Sequence, residues 1–155
     1  MNRAKVSAAV DGWESLFRAQ VAVLRRLREQ FRGAEVSFGE YDVLYNLSRF
    51  PGKRLRLREL NQHILLSQPS LSRLVERMEQ RGLVRREPDA DDGRGTIVAM
   101  TEQGATVQRR VGREHAAAIA HYVGAGLDAD ELHQLQQLCD KLRFAQAGVP
   151  DFERS

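Results

Sequence analysis

Residues 67–82 constrain the fold of this chain more than any other stretch, because the start, the buried face and the end of one helix can all be read there. Ser67 is a preferred N-cap residue, and Pro69 falls in the first turn, where its missing N–H costs little. Gly82 suits the left-handed position that follows a helix. Apolar residues repeat at helical spacing along one face: Leu71, Leu74, Val75 and Met78. The stretch therefore predicts an amphipathic helix with one buried face.

The opposite face of this helix is polar, and it is cationic toward its N-terminal half. Its members are Pro69, Ser72, Arg73, Glu76 and Gln80, with Ser70, Arg77 and Gln68 on the flanks. In a DNA major groove, Arg binds guanine edges or phosphates, and Gln and Ser bind other base edges. An ordinary surface helix has the same pattern, so the neighbouring segments decide between the two interpretations.

The segments on either side predict a helix-turn-helix followed by a wing. A short extended piece at Leu55–Arg56 and a short helix ending near Ile64 precede a tight turn into the amphipathic helix. After that helix, residues 83–87 and 96–100 have the composition of strands, and a charged, turn-rich segment joins them. A hairpin directly after a polar-faced helix is the arrangement of a winged helix.

Long helices flank this central region. The helical period predicts one over residues 6–31 and another from Thr101 to about Val123, and capping boxes at Ser37 and Asp128 begin two more. The helix that begins at Ser37 is expected to bury Tyr41, Leu44, Tyr45 and Leu47. The predicted fold class is mainly α with a small β-hairpin. It has a dimerisation helix in 1–36, a winged helix-turn-helix lobe in 37–100 and dimerisation helices in 101–155.

Charge is concentrated in the middle of the chain. The 155 residues carry a net charge of +3, but residues 49–94 alone hold 11 Lys/Arg and 7 Asp/Glu. A basic middle suits a surface that meets a polyanion, although a solvated face has the same composition. No apolar run reaches the roughly 18 residues of a membrane span, and no secretory signal opens the chain. The expected location is the cytoplasm, with no membrane partner.

Enzymatic and metal-binding classes find little support. The histidines are scattered, and the sequence has no HExxH, no glycine-rich phosphate loop and no nucleophile elbow. A single cysteine, Cys139, excludes a disulfide framework and a Cys-rich zinc site. It lies beside Leu138, which favours a buried structural thiol. We therefore expect no enzyme, no cofactor and no metal site.

The ordered motifs of the chain resemble those of the multiple-antibiotic-resistance regulator (MarR) family of bacterial winged-helix transcription factors. The resemblance depends on Leu57-Arg58-Glu59-Leu60, the block from Leu66 to Val75, Glu79-Gln80-Arg81-Gly82-Leu83-Val84, Asp92-Gly93-Arg94-Gly95 and Met100-Thr101-Glu102-Gln103-Gly104. It covers essentially the whole chain. It implies a transcriptional regulator, a repressor released by a small ligand, that binds a pseudo-palindromic double-stranded operator as a homodimer. A winged-helix adaptor that binds protein instead of DNA is the alternative.

The resemblance also implies which residues contact DNA. Ser67, Gln68, Ser70, Ser72 and Arg73 would face bases or nearby phosphates, Arg77 a phosphate, and Arg94 the minor groove with Asp92 orienting it. Lys53, Arg54, Arg56, Arg85 and Arg86 are candidates for phosphate contacts, or for ordinary solvated positions. Independently, the terminal helices carry more apolar surface than one small lobe covers, which indicates an interface.

The same resemblance implies a small aromatic or phenolic effector between the dimer region and the winged lobe. The aromatic residues that could line such a crevice are Trp13, Phe17, Phe38, Tyr41 and Tyr45. Aromatic residues at helical spacing are also ordinary core residues, so both interpretations stay open here. The peroxide-sensing branch of the family has a reactive cysteine near its N-terminus, which this chain lacks.

Overall fold

The computed structural model describes residues 2–93 and 95–152. The helices are α1 (Arg3–Glu29), α2 (Phe38–Ser48), α3 (Leu57–Gln62), α4 (Gln68–Gln80), α5 (Glu102–Gly124) and α6 (Ala129–Ala145). The strands are β1 (Arg54–Arg56), β2 (Val84–Pro88) and β3 (Thr96–Met100), and short 3₁₀ turns lie at Pro51–Lys53 and Gln146–Gly148. The chain divides into two compact units, residues 1–118 and 119–155. Within the described ranges, no helix is long and apolar enough to cross a membrane.

The wing is a three-stranded antiparallel sheet in the order β1-β3-β2, which extends the predicted hairpin by one strand. The strands predicted at 83–87 and 96–100 form β2 and β3, with Val84 opposite Met100. The extended piece before α3 pairs with β3 as well, placing Leu55 opposite Val98. Both side chains are buried, so the alternation of cation and leucine in β1 points the leucine into the core. α3 ends at Gln62, two residues earlier than predicted.

The core of the first unit lies between α2, α3, α4 and the sheet. All four apolar residues predicted for the buried face of α4 are buried. In α2, Tyr41, Leu44 and Leu47 are buried as expected. The prediction for Tyr45 is wrong, because this residue is 40% exposed and stacks on Tyr41 at the edge of the helix. Arg49 covers it by donating a hydrogen bond to its hydroxyl at 2.9 Å.

The capping boxes predicted from sequence are both present. At α2, the Ser37 hydroxyl accepts from the Glu40 N–H at 3.2 Å, and Glu40 accepts from the Ser37 N–H at 2.8 Å. At α6, Asp128 and Glu131 exchange the same pair of bonds at 2.9 Å each. These contacts satisfy backbone donors that the first turn of a helix leaves without intrahelical partners.

α5 begins against the turn that follows α4. Gly82 holds the left-handed conformation there, with φ of 72°. The Thr101 hydroxyl donates to the Gly82 carbonyl at 2.6 Å and accepts from the Gly104 N–H at 3.0 Å. A Cβ at Gly104 would lie 2.1 Å from the carbonyl oxygen of Leu83. This close backbone approach requires glycine and anchors the start of α5 to the strand that leads into the wing.

Candidate nucleic-acid interface

The polar face of α4 is accessible across the helix from its buried residues. Ser67, Gln68, Arg73 and Arg77 are exposed, and Ser70 and Ser72 are half-buried. This placement follows from the helical period, because the four buried residues of α4 occupy the face that packs on the core. The structure therefore leaves four of the six residues predicted for this helix exposed and the other two partly accessible.

A row of polar contacts runs along the first two turns of α4. The Ser67 hydroxyl lies 2.9 Å from the Ser70 hydroxyl and accepts from the Ser70 N–H at 3.4 Å. Arg73 reaches the same Ser70 hydroxyl at 3.4 Å through Nη2. Contacts of 3.4 Å are long for hydrogen bonds, so the guanidinium can exchange this partner for another acceptor at low cost. A base edge or phosphate oxygen would be such an acceptor.

Three of the arginines expected to contact phosphates are paired with carboxylates of β2 and α4. Arg54 Nη2 lies 2.9 Å from one carboxylate oxygen of Glu87, and Arg85 Nε lies 2.6 Å from the other. The hydrogen bond from Arg85 lowers the pKa of Glu87. Arg86 binds Glu79 through both its backbone N–H and its Nε at 2.7 Å, and these bonds lower the pKa of Glu79. Ion pairs this exposed to solvent are weak, so they do not prevent exchange with a phosphate.

The fourth of these arginines, Arg56, reaches the turn between β2 and β3. Its Nε lies 2.5 Å from one carboxylate oxygen of Asp89, and its Nη2 lies 3.3 Å from Asp91. Asp89 is 4% exposed, which is unusual for an acid in a turn. Asp92 is exposed in the same turn. The predicted entry of Arg94 into a minor groove, and its orientation by Asp92, lie outside the described residues.

A crevice of about 560 Å³ opens between α1 and the start of α2, and the α3–α4 turn closes one side of it. Its wall combines apolar side chains with cationic and polar ones: Gln20, Leu24, Arg28, Phe31, Arg32, Ser37, Phe38, Gly39, Asp42, His63, Ile64, Leu65 and Leu66. The guanidinium of Arg28 lies over the Phe38 ring, 5.5 Å from its centroid. Burial raises the pKa of Asp42, although Asn46 donates a hydrogen bond to its carboxylate.

The five aromatic residues predicted for an effector site do not come together. Phe38 lines the crevice. Trp13 and Phe17 stack on each other along the exposed side of α1 with centroids 5.8 Å apart, while Tyr41 is a core residue and Tyr45 lies at the edge of α2. The sequence did not identify three other crevice residues, namely Arg28, His63 and Leu66. No local pattern marks residues that meet only when separate segments fold together.

His115 lies in an aromatic cluster at the end of α1. Its ring contacts those of Phe31, Phe38 and Tyr41 at centroid distances of 5.1–6.0 Å. Burial lowers its pKa, and its Nδ1 lies 3.1 Å from the Gln30 side-chain oxygen. This is the environment of a neutral, hydrogen-bonded core histidine. Across residues 2–93 and 95–152, no group of three His, Cys, Asp or Glu residues could hold a metal ion.

Cys139 is half-buried on α6, so the expectation of a buried thiol is wrong for the single chain. Its neighbour Leu138 is 58% exposed. Both residues belong to α6, a helix that has no buried residue.

Comparison with known proteins agrees with this architecture. The MarR family model matches residues 35–95. Among solved structures from Streptomyces coelicolor, AbsC, a MarR family transcriptional regulator, is 25% identical, with 96% of this chain and 98% of that chain covered and a TM-score of 0.76. Sco3205, a MarR family transcriptional regulator in complex with DNA, is 28% identical, with 97% and 91% covered and a TM-score of 0.74. The PcaV transcriptional regulator in complex with its natural ligand is 27% identical, with 87% and 92% covered and a TM-score of 0.67.

Proposed function

We propose that the chain is a sequence-specific DNA-binding regulator of transcription whose winged-helix lobe belongs to the MarR family, because the MarR family model matches residues 35–95. One observation carries the proposal. α4 presents Arg73 and Arg77 on an accessible face, while Leu71 and Met78 of the same helix hold it in the core. A rigidly supported helix with a short polar and cationic face fits the DNA major groove. The proposal assigns no catalytic role to any residue.

The proposed DNA contacts divide into two groups. Ser67, Gln68, Ser70, Ser72 and Arg73 would contact bases or nearby phosphates. Arg77 would contact a phosphate, as would Arg54 and Arg86 after exchanging their present carboxylate partners. Arg94 and Asp92 keep the minor-groove role expected from the sequence. The similar protein Sco3205 was solved in complex with DNA, which supports DNA binding by this chain but no individual contact.

We propose that two copies of the chain bind one inverted-repeat operator. Large apolar side chains are exposed on both terminal helices. These are Val10, Trp13 and Phe17 on α1 and Leu138 and Leu142 on α6. Apolar faces of this extent usually mark interfaces. A two-fold dimer would read half-sites spaced by about one helical turn, roughly 10 base pairs.

The finer proposal is that the regulator is a repressor released by a small aromatic or phenolic molecule in the crevice beside Phe38. The crevice joins apolar walls to the guanidinium groups of Arg28 and Arg32, which suits a ring that carries an acidic group. The ligand complex of the similar protein PcaV supports an effector of some kind.

The test of DNA binding is a salt series with a labelled duplex enriched from the parent genome. Several phosphate contacts predict that the logarithm of affinity falls linearly with the logarithm of salt concentration, with a slope of about −0.9 per phosphate. A steep slope together with competition by unlabelled operator supports the proposal. A flat response, or no binding at low salt, contradicts it and favours a protein-binding adaptor.

Effector release is tested on the same complex. Aromatic acids and phenols are titrated in, and we expect release by a subset of them. Phe38→Ala should lose that release, whereas Tyr45→Ala, a change of an exposed aromatic residue outside the crevice, should keep it. Release that survives Phe38→Ala would place the effector elsewhere.

A further inference from the structure

The turn between β2 and β3 extends beyond the support of the third strand. The last residue of β1, Arg56, lies opposite Ile97, and the β2–β3 ladder ends at Pro88 and Thr96. The residues that follow Pro88, described as far as Gly93 and again at Gly95, have no neighbouring strand. Some other contact must set the position of this turn relative to α3 and α4.

Arg56 makes that contact, because it lies where β1 passes into α3. Its backbone N–H donates to Glu59 at 3.3 Å and so forms part of the start of α3. Its side chain extends to the turn, where Nε lies 2.5 Å from Asp89 Oδ2 and Nη2 lies 3.4 Å from Asp89 Oδ1. A second bond from Nη2 reaches Asp91 at 3.3 Å. The side chain is 30% exposed, so much of it is shielded from solvent.

Asp89 organises the turn around its carboxylate. Its Oδ1 accepts from the Asp91 N–H at 3.1 Å, and its own N–H donates to the Gly95 carbonyl at 3.0 Å. The Gly95 N–H in turn donates to the Asp92 carbonyl at 2.7 Å. A Cβ at Gly95 would lie 2.9 Å from the Asp89 Cβ, so the turn closes tightly over this acid. The Asp91 N–H and then Arg56 keep the pKa of Asp89 below its ordinary value.

A buried carboxylate needs a charged partner, since an uncompensated charge of this kind is strongly destabilising. The turn also carries Asp91 and Asp92, so it brings three acids toward any polyanion that the wing approaches. Arg56 contacts two of the three. Its contacts hold the turn in position and offset part of the negative charge of the turn.

We propose that Arg56 is a positioning residue of the wing, which acts on DNA binding through Asp89 rather than by contacting a phosphate. The inference rests on the proposed function and replaces the phosphate role expected for this residue. It makes the β1–α3 junction and the wing turn one structural unit. The wing is therefore held at a set position relative to the recognition surface of α4.

The direction in which Asp89→Asn changes operator affinity distinguishes a phosphate-contact role of Arg56 from a positioning role. If Arg56 contacts a phosphate, Arg56→Gln weakens operator binding and Asp89→Asn strengthens it, because a negative charge near DNA is removed. If Arg56 acts through Asp89, both variants weaken binding by about tenfold, and the double variant is no weaker than either single one. Tighter binding by Asp89→Asn, or additive losses in the double variant, would overturn the proposal.

A second readout separates positioning from general damage to the fold. Arg56→Gln should lower discrimination at the base pairs flanking those that α4 contacts, and leave discrimination under α4 unchanged. Equal loss at both sets of base pairs would overturn the proposal. The matched controls are Arg18→Gln and Glu14→Gln, an exposed ion pair on α1, which should stay within about twofold of the unmodified protein.

Amide hydrogen exchange tests the contact even if the chain proves not to bind DNA. In the free full-length protein, Arg56→Gln should speed exchange at the Asp91 and Gly95 amides by about tenfold, with no change at Val75 in α4. Unchanged exchange at Asp91 and Gly95 would refute the positioning role by itself. Absence of operator binding with the expected exchange would refute only the proposed function.

Discussion

Glu40 shows, at the scale of a single residue, how a local signal acquires a second role in the fold. The sequence predicts it as the third residue of a capping box, and it does bind the Ser37 N–H. In the folded chain its other oxygen also accepts from Arg81 Nη1 at 2.6 Å, at the end of α4. Arg81 Nη2 binds the Glu35 carbonyl at 2.6 Å. One buried carboxylate thus ties the α1–α2 connection to the end of α4.

The pH dependence of stability should reveal this carboxylate. Burial alone raises the pKa of Glu40, but the bonds from Ser37 and Arg81 outweigh it and leave the pKa below its ordinary value. A lowered folded-state pKa means that the stabilisation is complete above the unfolded-state pKa, about 4.3, and is lost as pH falls through the folded-state pKa. At pH 7, Glu40→Gln should lower the free energy of unfolding by about 1–3 kcal/mol.

The measurement is urea unfolding at fixed protein concentration from pH 7 to pH 3. The difference between the unmodified protein and Glu40→Gln should shrink as the pH falls below about 4.3. Glu114→Gln, which changes an exposed carboxylate on α5, should lower the free energy of unfolding by less than about 0.5 kcal/mol at every pH in this range. A difference that stays constant with pH would mean that the charge of Glu40 is not what stabilises the fold.

At the scale of an element, α4 has two faces with separable tasks. Leu71 on the inner face is fully buried, and Arg73 on the outer face is exposed and contacts Ser70 only at 3.4 Å. We therefore expect that stability and the proposed DNA recognition can be changed independently within three residues of one helix.

Two alanine variants of α4 test this separation. Leu71→Ala should lower the free energy of unfolding by about 2–5 kcal/mol, because it leaves a cavity in a closed core. Arg73→Ala should leave stability within about 0.5 kcal/mol but cost about 1–3 kcal/mol of discrimination at particular base pairs. Urea unfolding and binding to single-base operator variants are the two measurements. A loss from Arg73→Ala that is equal for all sequences would mean that this side chain touches only the backbone of DNA.

At the scale of the whole molecule, the two units differ in how well they bury their own apolar residues. The first unit has a continuous core built from α2, α3, α4, the sheet and part of α5. α6 has no buried residue, and its Leu135, Leu138, Leu142 and Phe144 are all at least 40% exposed. An amphipathic helix without a covered face is not stable on its own in water. The proposed dimer would supply the missing cover.

Replacing one of these leucines should weaken self-association. Leu138→Lys places a charge in the proposed interface and should raise the dimer dissociation constant at least tenfold, about 1.4 kcal/mol. Its neighbour Gln137 is exposed and binds His133 at 2.9 Å, so Gln137→Lys provides a control that adds the same charge. Sedimentation equilibrium over a concentration series measures both. Equal dissociation constants for the two variants would place the interface elsewhere, and a monomeric parent protein would remove the dimer proposal.

The sequence by itself determined what depends on residues close together along the chain. The two ends of α4 are set by Ser67, Pro69 and Gly82, and the apolar spacing between them selects its buried face. Capping boxes at Ser37 and Asp128 start two other helices. These signals act through hydrogen bonds and side-chain directions within one or two turns, and the helix and strand positions follow from them. The polar face of α4, from Ser67 to Arg77, could be predicted for the same reason.

Only the tertiary structure decided which distant residues meet. Arg56 and Asp89 are far apart in sequence, as are Glu40 and Arg81, and the sequence assigns no pairing among so many exposed charges. The crevice beside Phe38 likewise combines α1, α2 and the α3–α4 turn, so its Arg28 and His63 carry no local mark. In the unfolded chain, a given arginine can approach many different acids, so the sequence does not select one of them as its partner. The packing of β1, α3 and α4 around one core leaves Arg56 beside Asp89.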